Sequence, residues 1–406
     1  MISLNPLRLN RCDWFLIFFL MYYLQGILYP SGGVISLGFL SVNLVVSLFY
    51  TLRVIQMRDI PVYFRGLNIF LVLVSVYGIA LIATSPATIY YPISGASVTS
   101  YNYLKYVWIS LLPVYTFYYF ARKGYLTEER LRVWGFLFLA STVVSYFHMQ
   151  QETLKLVAKM GSDAKEVTNN AGYIFLSNIP LLVVYRRKPL LQFALLAFSL
   201  AFIVMGMKRG AILLGGLSAV YFMRQAIRNS SGKYRFLFVA MSVMLCIGAV
   251  MFFIHMMNTS EYMMQRINAT MEGNSSGRDK LYSHFWNYFI HEADILQFFI
   301  GRGANGTMEI YKNYAHNDWL ELAVNQGLLG IVCYVFYWRC FYKTWRHTVD
   351  EKAKVIIAMT MIIYFAKTLF SMSYGDMDYI TTSTLGYALA TMYPSEPEIE
   401  SDNPES

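Results

Sequence analysis

The residues around position 316 are those best suited to acid–base chemistry. His316, Asn317 and Glu321 precede a long apolar stretch, and a helix that starts there places Asn317 and Glu321 on one face. Histidine is the side chain whose ordinary pKa lets it exchange a proton near neutral pH. The other histidines have no comparable setting. His316 is therefore a candidate general base, with Asn317 and Glu321 as candidate supporting groups. A purely structural histidine is the alternative.

The dipeptide Lys208-Arg209 places two positive charges in a short turn between two apolar segments. Charge at membrane depth is costly and is usually functional. The next helix is expected to start near Gly210, and the free N–H groups of a helix start favour an anion. We therefore expect an anion site with Arg209 as its main ligand and Lys208 in support. A snorkelling pair at the membrane surface is the alternative.

Two further arginines stand beside glycines in the polar stretch before His316. Arg278 follows Gly277, and Arg302 lies between Gly301 and Gly303. Glycine permits a tight turn and a close approach of the backbone to a ligand. The planar guanidinium of arginine also matches phosphate oxygens better than an ammonium does. Arg278 and Arg302 are therefore candidate phosphate ligands, and a structural ion pair is the alternative for each.

No metal and no cofactor are expected. Asp376 and Asp378 have the spacing of a metal-binding Asp-x-Asp, but two carboxylates in a short turn are weak grounds for a metal. A partner for an arginine or a solvated turn is the preferred interpretation. The four cysteines lack metal-ligand spacing. The sequence also has no glycine-rich nucleotide loop, which argues against an ATP-driven pump within this chain.

The elements that position these candidates belong to a membrane protein. Of the 406 residues, 56% are hydrophobic and 14% are charged, whereas about a quarter are charged in soluble proteins. The apolar residues form blocks long enough to cross a bilayer as helices. We predict an all-α, polytopic transmembrane bundle of about twelve spans. The predicted spans are 14–29, 33–52, 66–84, 105–121, 132–150, 172–185, 189–207, 210–223, 236–257, 320–341, 353–371 and 379–393.

Lysines and arginines concentrate in alternate segments between the blocks, and this bias predicts the orientation of the chain. It places both termini in the cytoplasm. The first block is predicted to remain as a span, because no small-residue cleavage site follows it. The basic residues form no single patch, so the net charge of +9 does not indicate nucleic-acid binding.

The spans divide the chain into four predicted regions. These are residues 1–257 with spans one to nine, 258–319 as a large periplasmic loop with the catalytic motifs, 320–393 with spans ten to twelve, and 394–406 as a disordered cytoplasmic tail. Two other outer segments, 85–104 and 151–171, are predicted to form amphipathic helices at the membrane interface.

Taken in order, the motifs resemble those of the O-antigen ligase and O-antigen polymerase superfamily. They are Lys208-Arg209-Gly210-Ala211, Gly277-Arg278, Gly301-Arg302-Gly303, and His316-Asn317-Asp318-Trp319-Leu320 followed by Gly327-Leu328-Leu329-Gly330. The series covers residues 205–345, about a third of the chain, and the long late outer loop agrees with it. One departure is Lys208, where many members have a small hydroxyl residue.

The resemblance implies a glycosyltransferase of the bacterial inner membrane. Its donor would be an undecaprenyl-diphosphate-linked oligosaccharide, without nucleotide sugar or metal. Arg209, Arg278 and Arg302 would bind the donor diphosphate. His316 would act on the acceptor hydroxyl at the periplasmic face, with inversion. Fixed arginines would stabilise the charge that a diphosphate leaving group gains as the glycosidic bond breaks.

Three functions are compatible with these residues. A polymerase of O-antigen or capsular polysaccharide is preferred. Each polysaccharide type needs its own polymerase, so polymerases should be more numerous than ligases. A ligase that transfers the finished polymer to lipid A–core or to protein is the alternative. The expected acceptor is therefore a saccharide for a polymerase and lipid A–core or protein for a ligase. A flippase of lipid-linked saccharide is a more distant alternative. A flippase is expected to line a central path with charges across several spans, whereas the apolar blocks are nearly free of charge, with Lys367 in the eleventh as the exception. Membrane lipids and a chain-length regulator are the other expected partners.

Overall fold

The computed structural model describes residues 9–159, 167–230, 232–272, 277–372 and 374–393. Of the described residues, 77% are helical, which confirms the predicted fold class as nearly all-α. The predicted disordered tail, 394–406, lies outside the described residues, and so does the last part of 151–171 that precedes Val167. Residues 151–159 continue a long helix.

Helices of very different lengths follow one another along the first part of the described chain. They are α1 (Arg11–Tyr23), α2 (Val34–Ile55), α3 (Val62–Thr84), α4 (Asn102–Leu111), α5 (Pro113–Arg122), α6 (Glu128–Lys159), α7 (Ala171–Leu181), α8 (Pro189–Met205) and α9 (Arg209–Arg228). A 3-10 turn, Leu182–Tyr185, extends α7. The break between α4 and α5 falls at Pro113, which has no N–H to continue the hydrogen-bond ladder.

The second part begins with a long apolar helix and continues through four short α-helices before the last three helices. These helices are α10 (Gly232–Thr259), α11 (Glu261–Met271), α12 (Arg278–Asn287), α13 (Ile295–Ile300), α14 (Gly306–Ile310), α15 (Asp318–His347), α16 (Glu351–Lys367) and α17 (Tyr379–Ala390). The described part of the region 258–319 is therefore largely helical.

Within the described residues, six helices are long and apolar enough to cross a membrane: α2, α3, α6, α9, α10 over Arg235–Thr259, and α15. The other predicted spans coincide with shorter helices, namely α1, α4 with α5, α7, α8, α16 and α17. The chain is a membrane protein with six candidate spans, and the count of about twelve stays a prediction.

The prediction of an interfacial helix over residues 85–104 is wrong. Strand β1 (Thr88–Tyr91) pairs antiparallel with strand β2 (Ala96–Thr99), with Thr88 opposite Thr99. Aromatic and β-branched residues favour strands. The turn between the strands ends at Gly95, whose φ of 69° suits glycine. This hairpin leads directly into α4.

Helices α3 and α15 pack closely because a small residue stands at their contact. A Cβ on Gly66 would lie 2.7 Å from the Cβ of Cys340 and 2.9 Å from the Cα of Tyr337. The backbone N–H of Tyr63 donates to the Thr344 hydroxyl at 2.8 Å. Packing against α3 therefore supports α15, and His316 lies just before the start of α15.

Helix α15 is interrupted at Gly327, where φ is 64° and ψ is −157°. Two carbonyls on the preceding turn accept hydrogen bonds from the chain after α13. Val324 accepts from the N–H of Arg302 at 2.8 Å, and Asn325 accepts from the N–H of Gly303 at 2.9 Å. The end of α13 is therefore joined backbone to backbone to the kink of α15, which satisfies groups that the kink would otherwise leave open.

Candidate active site

Arg209 is the first residue of α9, and Lys208 precedes it in an extended conformation. The Lys208 side chain makes no capping hydrogen bond, so the helix start presents backbone N–H groups. Gly210 lets this turn lie against its neighbours. A Cβ there would lie 2.5 Å from the Phe370 ring and 2.5 Å from the Tyr173 hydroxyl. Arg209 is thus held beside α7 and the chain that follows α16.

Arg278 occupies the same position in α12. It follows Gly277, whose φ of 78° is in the left-handed region. The Nη1 of Arg278 donates to the backbone carbonyl of Phe370 at 2.6 Å. Since the Phe370 ring also packs against Gly210, two arginines at two helix starts are brought to the same part of the molecule.

Residues 368–370, which follow α16, join the parts of the site. The carbonyl of Thr368 accepts from the backbone N–H of Asp318 at 2.9 Å. The carbonyl of Leu369 accepts from the Asn317 amide at 2.9 Å and from the Tyr282 hydroxyl at 3.3 Å. The third carbonyl of this segment binds the guanidinium of Arg278. The 368–370 segment therefore fixes the start of α12 relative to the start of α15.

His316 lies immediately before α15 with a φ of 51°, which is uncommon for a residue other than glycine. Its carbonyl accepts a hydrogen bond from the Tyr282 hydroxyl at 3.1 Å. The Asn317 side chain caps α15 by accepting from the N–H groups of Trp319 and Leu320. These bonds hold His316 in its left-handed conformation, and such strain is often retained at functional sites.

A cavity of about 510 Å³, which we call the basic cavity, lies where these elements meet. Lys208, Arg209, Arg278 and His316 line it, so four of the seven predicted site residues come together. Lys312 adds a further positive charge to the lining. The volume lies in the range of small-molecule sites. The concentration of basic side chains at two helix starts suits an anionic group such as a diphosphate.

The environment of His316 lowers its pKa below the ordinary value. Burial is the main cause, and the positive charges of Arg278 and Lys208 act in the same direction. These surroundings favour the neutral imidazole, in which one nitrogen is available to accept a proton. The same charges that suit an anion thus keep His316 in the form that a general base requires.

Arg302 does not line the basic cavity. Its Nε donates to Glu309 at 2.6 Å, and its Nη1 donates to the Tyr288 hydroxyl at 3.4 Å. Gly301 beside it approaches protein backbone, because a Cβ there would lie 2.3 Å from the carbonyl carbon of Asn325. The structural ion pair is thus present, and the predicted role of Arg302 at a diphosphate stays a prediction.

Asn317 and Glu321, the other candidate supporting residues, have structural partners. Glu321 is 1% exposed, and it accepts from the Thr307 hydroxyl at 2.6 Å and the N–H of Ala315 at 2.8 Å. The Asn325 amide donates to it at 3.0 Å. Glu321 therefore fixes the backbone just before His316, while Asn317 caps the helix just after it.

Asp376 and Asp378 have separate partners. Asp376 forms an ion pair with Lys367, so the expected arginine partner is a lysine. Asp378 caps α17 by accepting from the N–H of Thr381 at 2.8 Å, and it accepts from the Ser177 hydroxyl at 2.5 Å. No group of three or more His, Cys, Asp or Glu side chains that could hold a metal occurs in the described ranges.

The sequence analysis missed three residues that build this site: Tyr173, Tyr282 and Phe370. Tyr282 could have been found, because it follows Arg278 by four residues and shares its face on a helix. Tyr173 and Phe370 carry no such local signal. They reach the start of α9 only because α7 and the 368–370 segment pack against it.

A comparison with protein families found one matching family. Residues 194–335 match the O-antigen ligase family. The predicted resemblance to the O-antigen ligase and polymerase superfamily is thereby confirmed. Members of the O-antigen ligase family are glycosyltransferase-like enzymes, and the family implies a lipid-linked saccharide as a substrate. The matched segment contains every predicted site residue. A search of the curated proteins found no significant match.

Proposed function

We propose that this protein transfers a saccharide from a polyprenyl-diphosphate carrier to an acceptor hydroxyl. The observation that carries the proposal is the position of His316 in the same cavity as Arg209 and Arg278. A base and an anion site within one cavity are what this transfer needs. We place the reaction at the periplasmic face of the bacterial inner membrane, in keeping with the distribution of basic residues.

The basic cavity would hold the donor diphosphate. Arg209 and Arg278, each at the start of a helix, would bind its oxygens together with exposed backbone N–H groups. Negative charge grows on the leaving diphosphate as the bond from the anomeric carbon to oxygen breaks. Fixed positive groups stabilise this charge more in the transition state than in the ground state, and this difference lowers the barrier.

His316 would activate the acceptor. Its neutral imidazole takes the proton of the acceptor hydroxyl while the oxygen attacks the anomeric carbon from the face opposite the diphosphate. One carbon–oxygen bond forms and one breaks, the proton ends on the imidazole, and the configuration at the anomeric carbon is inverted. The hydrogen bond from the Tyr282 hydroxyl to the His316 carbonyl would keep the base in position.

Among the compatible functions we favour a polymerase that joins lipid-linked repeat units, with a ligase acting on lipid A–core or protein as the alternative. The flippase is less well supported, because Lys367 in the late apolar region is only 5% exposed at its side chain and is paired with Asp376. A buried, neutralised lysine does not line an open path for a charged headgroup. The O-antigen ligase match also supports an enzyme.

The test is the product formed by the purified protein in lipid nanodiscs with its host's lipid-diphosphate oligosaccharide. A ladder of regular steps on the carrier is expected of a polymerase. If no ladder forms, lipid A–core is added, and a single increase in acceptor size identifies a ligase. Absence of transfer to either acceptor would overturn the proposal and favour the flippase.

A matched pair of histidine variants tests the role of His316. His316→Ala is expected to lower the rate by ~10²–10⁴-fold, the usual effect of losing a general base. His291→Ala is the control, because His291 is exposed in the π-helical segment Tyr288–Glu292 after α12 and does not line the basic cavity. Equal rates for the two variants would remove His316 from the proposed mechanism.

A further inference from the structure

A second cavity, of about 260 Å³, lies beside the segment that leads into His316, and we call it the tyrosine cavity. Four tyrosines line it: Tyr103, Tyr106, Tyr314 and Tyr374. Tyr103 and Tyr374 are buried, whereas Tyr106 is 53% exposed. Aromatic rings offer flat apolar faces, and their hydroxyls offer hydrogen bonds at the edge. Rings of this kind suit a ligand that has both C–H faces and hydroxyl groups.

Polar residues line the tyrosine cavity as well. Asn102 and Asn305, which carry amides, and Asp376, which carries a carboxylate, are among its lining residues. An amide can both donate to and accept from a hydroxyl, and a carboxylate accepts from hydroxyls. Burial raises the pKa of Tyr314 to about 12, so its hydroxyl remains a donor at any working pH. The cavity therefore presents both donors and acceptors for an uncharged, hydroxyl-rich ring.

Size and position agree with this chemistry. The volume lies just below the range of about 300–1,000 Å³ that holds drug-sized ligands, which suits a single ring. The two cavities are also linked by a chain of side-chain contacts. Tyr173 lines the basic cavity, its ring centroid is 5.3 Å from the Lys367 Nζ, and Lys367 pairs with Asp376 of the tyrosine cavity. Tyr314, moreover, is two residues from His316.

We propose that the tyrosine cavity binds a sugar ring of the acceptor saccharide and so presents its hydroxyl to His316. The role of this sugar as the acceptor rests on the proposed function, whereas the binding of a sugar in the cavity does not. Tyr106 stacks on the ring at the open side, and the amides and the Tyr314 hydroxyl bind its hydroxyl groups. The cavity would thereby select the acceptor separately from the donor, which is bound through its diphosphate in the basic cavity.

The experiment measures binding in the absence of turnover. The full chain is reconstituted in nanodiscs and titrated with the host's repeat-unit oligosaccharide, released from its lipid by mild acid and freed of phosphate. Tyr106→Ala is expected to weaken binding about tenfold, and Tyr106→Phe, which keeps the ring, by no more than about twofold. Tyr90→Ala is the matched control, because Tyr90 is 62% exposed on β1 and does not line the cavity. His316→Ala should bind the oligosaccharide as the parent does.

Two results would overturn the inference: no saturable binding to the parent protein, or equal binding by the parent and Tyr106→Ala. Transfer assays separate this failure from failure of the proposed function. If Tyr106→Ala transfers sugar with an unchanged KM for the acceptor, the tyrosine cavity is not the acceptor site and the enzyme proposal stands. If binding depends on Tyr106 while the parent transfers nothing, the sugar site stands and the transferase proposal falls.

Discussion

The contact between Gly301 and the kink of α15 makes a sharp prediction for Gly301→Ala. The added Cβ would lie 2.3 Å from the carbonyl carbon of Asn325 and 2.4 Å from the N of Gln326. Both are backbone atoms, so no side-chain rotation can relieve the overlap. The chain after α13 must move away from α15. That movement breaks the hydrogen bonds that the N–H groups of Arg302 and Gly303 donate to α15.

The expected loss has two parts. Gly301 has a φ of 74° and a ψ of −175°, a conformation that costs other residues about 1–3 kcal/mol. The two broken backbone bonds add about 0.5–1.5 kcal/mol each. Gly303→Ala is the matched control, because Gly303 also has a positive φ, of 110°, but a Cβ there meets nothing within 4 Å. Gly301→Ala should therefore lose about 1–3 kcal/mol more than Gly303→Ala.

The assay is thermal unfolding of the purified variants in one detergent, followed by tryptophan fluorescence, together with transfer rates at a temperature where all are folded. The midpoint for Gly301→Ala is expected several degrees below that for Gly303→Ala, with lower transfer as well, because α15 leads into His316. Equal midpoints for the two variants would refute the close approach of backbone at this junction.

Three further predictions concern the basic cavity. As the pH falls below the ordinary pKa of histidine, the transfer rate should fall. Lys208→Met should move this fall in rate to higher pH, because removal of a positive charge raises the pKa of His316. A pH profile unchanged by the substitution would contradict this prediction. Arg278→Lys should lower kcat/KM for the donor by about tenfold or more. The lysine ammonium cannot both bind the Phe370 carbonyl and present a planar fork to phosphate. An unchanged kcat/KM would mean that a point charge suffices to bind the diphosphate. Tyr282→Phe removes the hydroxyl that donates to the His316 carbonyl, and it should lower kcat by a few-fold while the donor KM stays unchanged. A raised donor KM with an unchanged kcat would instead place Tyr282 in donor binding.

Much of the fold followed from hydropathy alone, and the limits of that approach are specific. Blocks of apolar residues predicted the long helices well, because the transfer of a helix into lipid depends mainly on its own composition. The same approach failed at residues 85–104, where a polar segment outside the blocks forms a hairpin. There, strand formation depends on cross-strand pairing, which a search for helix periodicity does not consider.

The chemistry of the site was readable in part because its residues lie within short motifs. The types and neighbours of Arg209, Arg278 and His316 predicted an anion site and a base, and the structure brings all three to one cavity. Arg302 has an equally suggestive setting, yet it pairs with Glu309 away from that cavity. No local pattern distinguishes an arginine that lines the cavity from one that forms a structural ion pair. A glycine beside the arginine permits the close approach of a ligand and of a neighbouring helix equally well.

The sequence by itself determined that this is a membrane protein and which side chains are chemically suited to bind an anion and accept a proton. Both properties belong to short stretches of chain, since they depend on hydropathy and on side-chain type. Only the tertiary structure decided which of those side chains meet. The hydrogen bond from Arg278 to Phe370 joins residues 92 positions apart. Such contacts arise from the packing of whole helices, so the 368–370 segment became part of the site through the fold.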